Sequence, residues 1–488
     1  MKKIAKYIVI IAASLFLFTG CEEWLDVDIN PDAISEGPSI DEATYLIGVQ
    51  SEWAQQAITP FRWYEQMINW VLWYASDGTQ GYEERFEIGI NQGSQVWNSY
   101  SGSLKHAVAL YDKAKENGNN RYQGIAAVIA AWHWFYIADS YDQAPLDEAM
   151  TGKEFNYPKP QPLTDLYAHG NALLDEAIAL FSNADPGDKV PNATQDYMGK
   201  ADWANWIRVA YTLKARYAMR LTYLPGTTPT AQADLALQYL QNGMTSNGDQ
   251  IEWVHLSDIN NRSWAFRDYE YDYSAAGFTP TNWIIDLMNG LNDPRRYVFF
   301  SEAEAGGFVG HRSGDASIPG ARPSRYLDTY ITPEYGDKII QYPEALFLKA
   351  EAYALKQDYP NAQIALDAAV TADMLYHGVE QADIDLYLAQ ASLTLPATIE
   401  GAQEVIIREK YLANVFETLE SYYDFIRTGY PQFDFPYAIK NIINDDTYPR
   451  RYSYPDAEYE KNEFVRAIGQ PDYFLKGVAW DTKDFAWR

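Results

Sequence analysis

The chain has 488 residues, a formal net charge of −29 at pH 7 and a single cysteine. A surface with this excess of acidic groups repels phosphate backbones, which excludes nucleic acid as a partner. One cysteine excludes a disulfide scaffold within the chain. The 15 Trp, 39 Tyr and 20 Phe are too many for core packing to be assumed as their only role, so we expect aromatic binding surfaces.

The N-terminus has the pattern of an export signal. Three lysines within the first six residues precede an apolar run over residues 8–18, and the small pair TG then precedes Cys21. The run is shorter than the roughly twenty apolar residues that span a bilayer, so we predict a signal peptide over 1–20. The sequence FTGC resembles the bacterial lipobox, although Phe18 replaces the usual aliphatic residue, and it predicts lipidation of Cys21. The alternative is a plain signal peptide or an N-terminal anchor with an incidental cysteine.

Residues 21–40 are acidic and rich in turn-forming residues, which predicts a lipidated, extended tether. The spacing D-x-D-x-N from Asp26 resembles the start of a calcium loop. However, Pro31 and Gly37 occupy the positions of its turning glycine and its closing glutamate. We therefore interpret this stretch as a tether and predict neither a metal site nor a cofactor.

Helical periodicity dominates the chain after the tether. We predict one or two helices over 41–75 and an antiparallel pair over 100–117 and 121–140, joined by the turn N-G-N-N. The second member of that pair is apolar nearly all round, which is typical of a helix buried in a bundle. Further helices are predicted over 163–182, 203–221, 230–243, 343–357, 360–375 and 402–427.

The predicted fold is mainly α: a scaffold of helix pairs with a loop-rich irregular half, in a single domain over 41–488. The helices over 343–357 and 360–375 resemble a tetratricopeptide unit, although the strict 34-residue consensus is absent. Two stretches, about 78–98 and 245–342, are rich in Gly, Asn, Asp and Tyr. Loops of that length in a compact domain usually carry function, so we expect the ligand site there.

No catalytic signature is present in the sequence. There is no phosphate-binding loop, no nucleophile elbow and no zinc-binding H-E-x-x-H helix, and the six histidines are scattered. Among 67 acidic residues, some pair with the spacing of a glycosidase is always found, so such a pair has no specificity. We expect the chain not to be an enzyme.

Seven segments, taken in chain order, carry a resemblance to a known family. They are LDVDINPD from Leu25, IAAWHWFYIADSYDQAPLDEA from Ile129, DWANWIRVAYTLKARYAMRL from Asp202, LNDPRRYVFF from Leu291, QYPEALFLKAEAY from Gln341, REKYLANVFETLESYYDFIRTGYP from Arg408 and YPRRYSYPDAEYEKN from Tyr448. Together they resemble the SusD/RagB family of nutrient-binding outer-membrane lipoproteins from the Bacteroidota. Asp142 departs from the family pattern, because the second of these segments usually has glycine at that position.

The resemblance implies a lipid-anchored protein on the cell surface that covers a TonB-dependent, SusC-like outer-membrane transporter. Such a protein captures oligosaccharides, or peptides in RagB-like members, and delivers them to the barrel. The implied fold has four tetratricopeptide-like helix pairs that support a loop-rich half. Glu22 and Glu23 resemble the surface-export signal of these lipoproteins.

The resemblance also implies a shallow site formed partly by the loop after the first long helix. Asp77, Arg85, Trp97 and Asn98 have roughly the order of acid, arginine, aromatic and amide that starch-binding relatives use. Aromatic faces stack on sugar rings, while carboxylates, amides and guanidinium groups bind hydroxyls. The alternative is that Trp97 packs under the following helix and that Asp77 and Arg85 form an ordinary ion pair.

A second candidate is the segment WAFRDYEYDY. Its tyrosines alternate with acids, which would place them on one face of a strand. We predict Trp264, Tyr269 and Tyr271 as ligand contacts, with a buried strand as the alternative. Other tryptophans at helical spacing are predicted to belong to the core, namely Trp132, Trp134, Trp203 and Trp206. Trp70 and Trp73, three residues apart on the first predicted helix, are also assigned to the core.

Three hypotheses remain at the level of sequence. The first is a surface lipoprotein that binds an oligosaccharide, which the aromatic excess favours over a peptide. The second is a surface glycosidase on a helical scaffold. The third is a scaffolding repeat protein with no ligand.

Overall fold

The computed structural model describes residues 40–58, 68, 70–75, 93–151, 154–187, 189–257, 276–312, 315, 320–415, 418–433, 448–471 and 476–485. Helix dominates this part of the chain, as the periodicity predicted. The helices are α1 Glu42–Ile58, α2 Ser94–Trp97, α3 Ser103–Asn117, α4 Asn120–Tyr141, α5 Leu163–Ser182, α6 Trp203–Arg220, α7 Pro229–Leu240, α8 Asn282–Gly290, α9 Arg296–Phe299, α10 Tyr342–Leu355, α11 Tyr359–Tyr376, α12 Gln381–Leu388, α13 Ile399–Ala413, α14 Thr418–Thr428, α15 Asp456–Lys461 and α16 Glu463–Ile468. The strands are β1 Val71–Ala75, β2 Gln143–Pro145, β3 Pro160–Pro162, β4 Ile251–Trp253, β5 Ala276–Pro280 and β6 Asp337–Ile340.

The predicted pair of helices α3 and α4 is confirmed, and so is the turn between them. Gly118 ends α3 with a φ of 72°, a left-handed conformation that glycine adopts without a steric penalty. The backbone N–H of Asn119 then donates to the carbonyl of Ala114 at 2.8 Å, which satisfies one of the last carbonyl groups of α3. The chain reverses within this turn and enters α4.

Helix α4 is the centre of the fold. Every residue from Tyr122 to Tyr141 is buried, as its uniform apolar composition predicted. The Trp53 ring of α1 lies 6.2 Å from the Trp132 ring, and the Tyr217 ring of α6 stacks on the Phe135 ring at 3.7 Å. Helices α1 and α6 therefore both pack against α4. None of the helices in the described ranges is both long and apolar enough to cross a bilayer.

The tryptophans assigned to the core from their spacing lie largely where predicted. Trp132, Trp134 and Trp206 are buried. Trp203 is half-buried: its ring stacks on Phe181 at 6.3 Å, and the Arg121 guanidinium lies 5.0 Å from its centre.

Charged side chains also meet inside the bundle, between α6, α10, α13 and α14. The members of this buried charge network form close ion pairs, and the pair of Arg427 with Glu351 is bidentate. A buried charge that loses its partner costs several kcal/mol, so the network fixes how these helices pack. Its members are Arg216, Arg220, Glu344, Glu351, Lys410, Glu420, Asp424 and Arg427.

The prediction of helix over the whole of 41–75 is wrong at its C-terminal end. Residues Val71–Ala75 form β1, which pairs antiparallel with β5 so that Val71 lies opposite Pro280 and Ala75 opposite Ala276. Trp70 is buried as expected, but it precedes a strand, and its ring stacks on Tyr411 at 5.3 Å. Trp73 belongs to β1. A short apolar run fits a strand or a helix equally well, and here a distant partner decides between them.

Two further boundaries differ from the prediction. The helix expected over 402–427 ends at Ala413, and α14 begins at Thr418. At this break the Asn414 amide donates to Ser421 Oγ at 3.0 Å, so a side chain joins the two helices. The stretch 245–342 carries regular structure within its described ranges, namely β4, β5, α8, α9 and β6.

Candidate functional site

The structure describes two of the predicted ligand contacts and places them side by side. Trp97 ends α2, and Asn98 begins a short 3-10 turn over Asn98–Tyr100. The other predicted site residues lie outside the described residues, as does the predicted lipidation site: Asp77, Arg85, Trp264, Tyr269, Tyr271 and Cys21.

The Trp97 ring is supported by three tyrosines. Its centre lies 5.0 Å from the Tyr141 ring and 5.7 Å from the Tyr454 ring, both nearly perpendicular to it, and 5.3 Å from the Tyr100 ring. Edge-to-face contacts of this kind are favourable because the positive ring edge meets the negative ring face. Trp97 is half-buried, so part of its indole remains accessible to solvent. We call Trp97, Tyr100, Tyr141 and Tyr454 the aromatic platform.

The segment that carries Trp97 is fixed from below. The Tyr141 hydroxyl donates to the carbonyl of Gly93, the residue before α2. A Cβ atom on Gly93 would lie 2.6 Å from Cγ of Tyr452, so only glycine permits this close approach. Val96 is buried, and its carbonyl accepts a hydrogen bond from Ser99 Oγ at 2.7 Å. These contacts fix the position and orientation of the Trp97 ring.

The C-terminal part of the chain completes the platform. The Tyr452 backbone N–H donates to the carbonyl of Ser140 at 3.0 Å, and the buried Arg451 donates to the carbonyl of Tyr141. The Tyr454 hydroxyl donates to the carbonyl of Gln143 at 2.9 Å, and its ring stacks on Tyr141 at 5.8 Å. The end of α4 is thus clamped by residues more than 300 positions later in the sequence.

The sequence-based site did not include Tyr100, Tyr141, Arg451 or Tyr454. A partial signal was present, since Tyr452 and Tyr454 alternate within one of the segments that resemble the family. Nothing local to that segment indicates that it lies under Trp97.

Trp97 and Tyr100 are the partly exposed members of the platform, whereas Tyr141 and Tyr454 are buried. Burial raises the pKa of Tyr100 and Tyr141 well above the usual range and that of Tyr454 to about 12, so these phenols stay protonated at neutral pH. The Tyr100 hydroxyl is already engaged, because it donates to the carbonyl of Pro145 at 2.6 Å. The Asn98 side chain is exposed and makes no hydrogen bond to any residue described here.

This arrangement suits binding better than catalysis. A partly exposed indole next to an unengaged amide can stack on an apolar ring face and exchange hydrogen bonds with hydroxyl groups. The platform itself carries no group that titrates near neutral pH. Across the described ranges, no three His, Cys, Asp or Glu side chains are placed to hold a metal ion.

Solved structures share this fold. A SusD/RagB family protein from Bacteroides thetaiotaomicron is 23% identical with a TM-score of 0.72, over 92% of this chain and 100% of that chain. A SusD homolog from Bacteroides uniformis is 20% identical with a TM-score of 0.73, over 91% and 99%. A chitin-binding SusD homolog from Flavobacterium johnsoniae is 18% identical with a TM-score of 0.74, also over 91% and 99%. The predicted mainly α fold is confirmed.

No curated protein matches the chain. A family model, however, matches most of it. Residues 38–455 match the SusD-like family model that is described as starch-binding and associating with the outer membrane. Proteins of this family bind carbohydrate and are not catalysts, in agreement with the expectation that the chain is not an enzyme. The chain therefore belongs to the SusD-like family, as the seven segments of its sequence indicated.

Proposed function

We propose that the chain is a cell-surface lipoprotein that captures an oligosaccharide and passes it to a SusC-like TonB-dependent transporter in the outer membrane. The observation that carries the binding step is the half-exposed Trp97 ring, held on three tyrosines beside the exposed amide of Asn98. Family membership supports the ligand class, since the family is described as starch-binding and one similar structure is of a chitin-binding protein.

The chemistry of sugars fits this surface. A pyranose ring presents C–H groups on its faces and hydroxyl groups around its rim. The C–H face stacks on the indole, while the amide of Asn98 donates to one hydroxyl and accepts from another. A platform that is held rigid before the ligand arrives loses little conformational entropy on binding.

The predicted N-terminal organisation supplies the location. A signal peptide over 1–20 would direct export, and acyl chains on Cys21 would hold the protein at the membrane. More than one acyl chain is needed for stable anchoring, and lipoprotein cysteines carry several. The acidic tether over 21–40 would let the folded part move relative to the transporter while staying beside it.

Calorimetric titration tests the ligand. We expect maltohexaose or chitohexaose to bind the wild-type protein, and Trp97→Ala to weaken that binding about tenfold to a hundredfold, because an anchoring aromatic contributes about 1.4 to 3 kcal/mol. Trp203→Ala is the matched control, since Trp203 is also half-buried but packs against Phe181 away from the platform. Equal losses in the two variants would refute the site.

The competing functions predict other results. Release of reducing sugar by the purified protein would indicate a glycosidase. Binding of short peptides, with no binding of either hexasaccharide, would indicate a RagB-like peptide receptor. The transfer step is tested separately, by affinity purification of the full chain from detergent-solubilised outer membranes. A TonB-dependent barrel that co-purifies in stoichiometric amount supports the proposal, and its absence refutes the partner.

A further inference from the structure

An open pocket of about 610 Å³ shares no lining residue with the aromatic platform. One wall comes from the segment between α8 and α9 and from α9 itself, through Asn292 and Tyr297. The opposite wall comes from α12 and its flanking turns, through Glu380, Asp383 and Gln390. Its volume falls within the range of about 300 to 1,000 Å³ that is usual for pockets that bind small molecules.

The base of this pocket is rigid. Arg295 is fully buried beneath the first wall and forms ion pairs with Asp293 at 2.6 Å and Asp373 at 2.7 Å. Tyr387, which lines the pocket, is also buried and donates its hydroxyl to Glu409 at 2.9 Å. The Arg295 guanidinium also contacts Glu409 at 3.4 Å, so buried hydrogen bonds join the two walls.

An aromatic ring stands at the mouth of the pocket. Tyr297 lines the pocket and is 62% exposed. The Phe308 ring meets it edge-on at 5.1 Å, and the Arg296 guanidinium lies 5.0 Å from its centre. These neighbours hold the ring in place and leave much of it open to solvent.

Part of the polar lining is available to a ligand. Four side chains make neither a hydrogen bond nor an ion pair with any residue in the described ranges: Asn292, Glu380, Asp383 and Gln390. Two amides and two carboxylates around an aromatic face can together accept from and donate to several hydroxyl groups. Exposed Leu386 and the buried side chain of Val379 add apolar surface between them.

We infer that this pocket is a second saccharide-binding site, which takes a short segment of a neutral glycan. A cationic ligand is disfavoured at the ring, because the Arg296 guanidinium lies 5.0 Å from its centre and repels a second positive charge there. Carboxylates that face solvent also attract cations only weakly. Neutral hydroxyl groups meet neither obstacle.

This inference rests on the glycan-binding function proposed above and extends it. Two sites on one protein can hold two segments of the same polymer, or two neighbouring chains. The second contact then forms at a high effective concentration and slows release of the first. A pocket with weak affinity for a short oligosaccharide can therefore raise the affinity of the whole protein for a long one.

The test uses the full-length protein in detergent with maltohexaose and chitohexaose. Binding is measured by calorimetry and by saturation-transfer NMR, which detects millimolar complexes. In a Trp97→Ala background we expect residual hexasaccharide binding, and we expect Tyr297→Ala to reduce it at least tenfold. Tyr157→Ala is the matched control, because Tyr157 is 50% exposed and does not line this pocket. Circular dichroism checks that each variant is folded.

The outcomes separate the two proposals. If wild-type protein binds hexasaccharide but the combination of Trp97→Ala and Tyr297→Ala behaves like Trp97→Ala alone, the second site is refuted and the proposed function stands. If wild-type protein binds neither hexasaccharide, the proposed function fails as well. Binding of hexalysine that is lost in Glu380→Gln with Asp383→Asn, without any effect of Tyr297→Ala on sugars, would assign the pocket to basic peptides and overturn the inference.

Discussion

The Trp97 ring stands perpendicular to the Tyr141 ring, with 5.0 Å between their centres and an interplanar angle of 86°. Tyr141 is the last residue of the buried central helix α4, and its hydroxyl is bonded to the backbone just before α2. The partly exposed Trp97 ring is therefore held in position by a residue of the buried helix at the centre of the fold. Changes at this junction should alter ligand binding without removing any group that touches the ligand.

Gly93→Ala is expected to weaken hexasaccharide binding although Trp97 is retained. The added methyl group would meet Cβ and Cγ of Tyr452, atoms close to the backbone that cannot swing away, so the segment before α2 must move. Overpacking of this kind costs about 1 to 3 kcal/mol of stability. Gly290→Ala is the control, because a Cβ there meets nothing within 4 Å. Calorimetry and urea unfolding measure both effects; unchanged affinity in Gly93→Ala would show that the position of Trp97 is unimportant.

Asp139→Asn is expected to change how stability depends on pH. Burial raises the pKa of Asp139 to about 6, against the opposing effects of Arg220 and of the hydrogen bonds from Tyr167 and Trp480. Tyr167 Oη donates to Asp139 Oδ1 at 2.6 Å and Trp480 Nε1 donates to the same atom at 2.7 Å, and an asparagine oxygen can accept both.

The direction follows from the two protonation equilibria. The unfolded chain has an aspartate pKa of about 3.9, so the folded state holds the proton more tightly. The stabilisation from that proton is complete below about pH 4 and is lost as the pH rises through about 6, at a cost of up to about 3 kcal/mol. The asparagine variant does not titrate there. As the pH rises from about 4 to about 6, the free energy of unfolding of the wild type should therefore fall relative to that of Asp139→Asn, as measured by urea titrations. A difference between the two proteins that does not change with pH would contradict the assignment.

Arg427→Met is expected to destabilise the fold by about 3 to 5 kcal/mol, because it leaves the buried Glu351 carboxylate without its ion-pair partner. The Arg427 guanidinium bonds Glu351 at 2.6 and 2.8 Å and Asp424 at 2.9 Å, all inside the bundle. Arg325→Met is the matched control: its pair with Asp328 is 67% and 81% exposed, so its loss should cost less than about 1 kcal/mol. Urea unfolding of both variants provides the comparison, and similar costs would contradict a structural role for the buried charge network.

Cys21→Ser is expected to release the protein from membranes. The proposed anchor is lipid on the only cysteine of the chain, and no helix in the described ranges can replace it as a membrane span. Partition of cell extracts between detergent and aqueous phases measures this. Asp26→Asn, a change within the proposed tether, serves as the control that keeps the anchor. Retention of Cys21→Ser in the detergent phase would refute lipidation as the means of attachment.

Sequence periodicity predicted the helices well where the pattern was long. Helix α4 was predicted from its apolar composition, and the turn at Gly118 from its residues, because both signals are local. Strand β1 was missed because its partner β5 lies about 200 residues away, and five apolar residues do not distinguish strand from helix. The break at Asn414 was missed because neither proline nor glycine marks it and a side-chain hydrogen bond maintains it.

The candidate site was predictable only in part, because its residues come from distant segments of the chain. Trp97 and Asn98 were found because they resemble a family pattern in one segment. The tyrosines that pack against Trp97 were not found, because Tyr141 and Tyr454 come from segments far apart in the sequence and meet only in three dimensions. Nor did the sequence indicate the second pocket, whose walls come from two separate segments near residues 292–298 and 378–390.

The clamp of Arg451, Tyr452 and Tyr454 on the end of α4 has a consequence for biogenesis. A polypeptide that ends before residue 448 contains the complete central bundle from α1 to α14 but lacks Arg451, Tyr452 and Tyr454, and with them one ring of the aromatic platform. During synthesis, the aromatic platform can be completed only after almost the entire chain has been made. Under the proposed function, a product that ends before residue 448 would therefore lack the complete surface that stacks on the sugar.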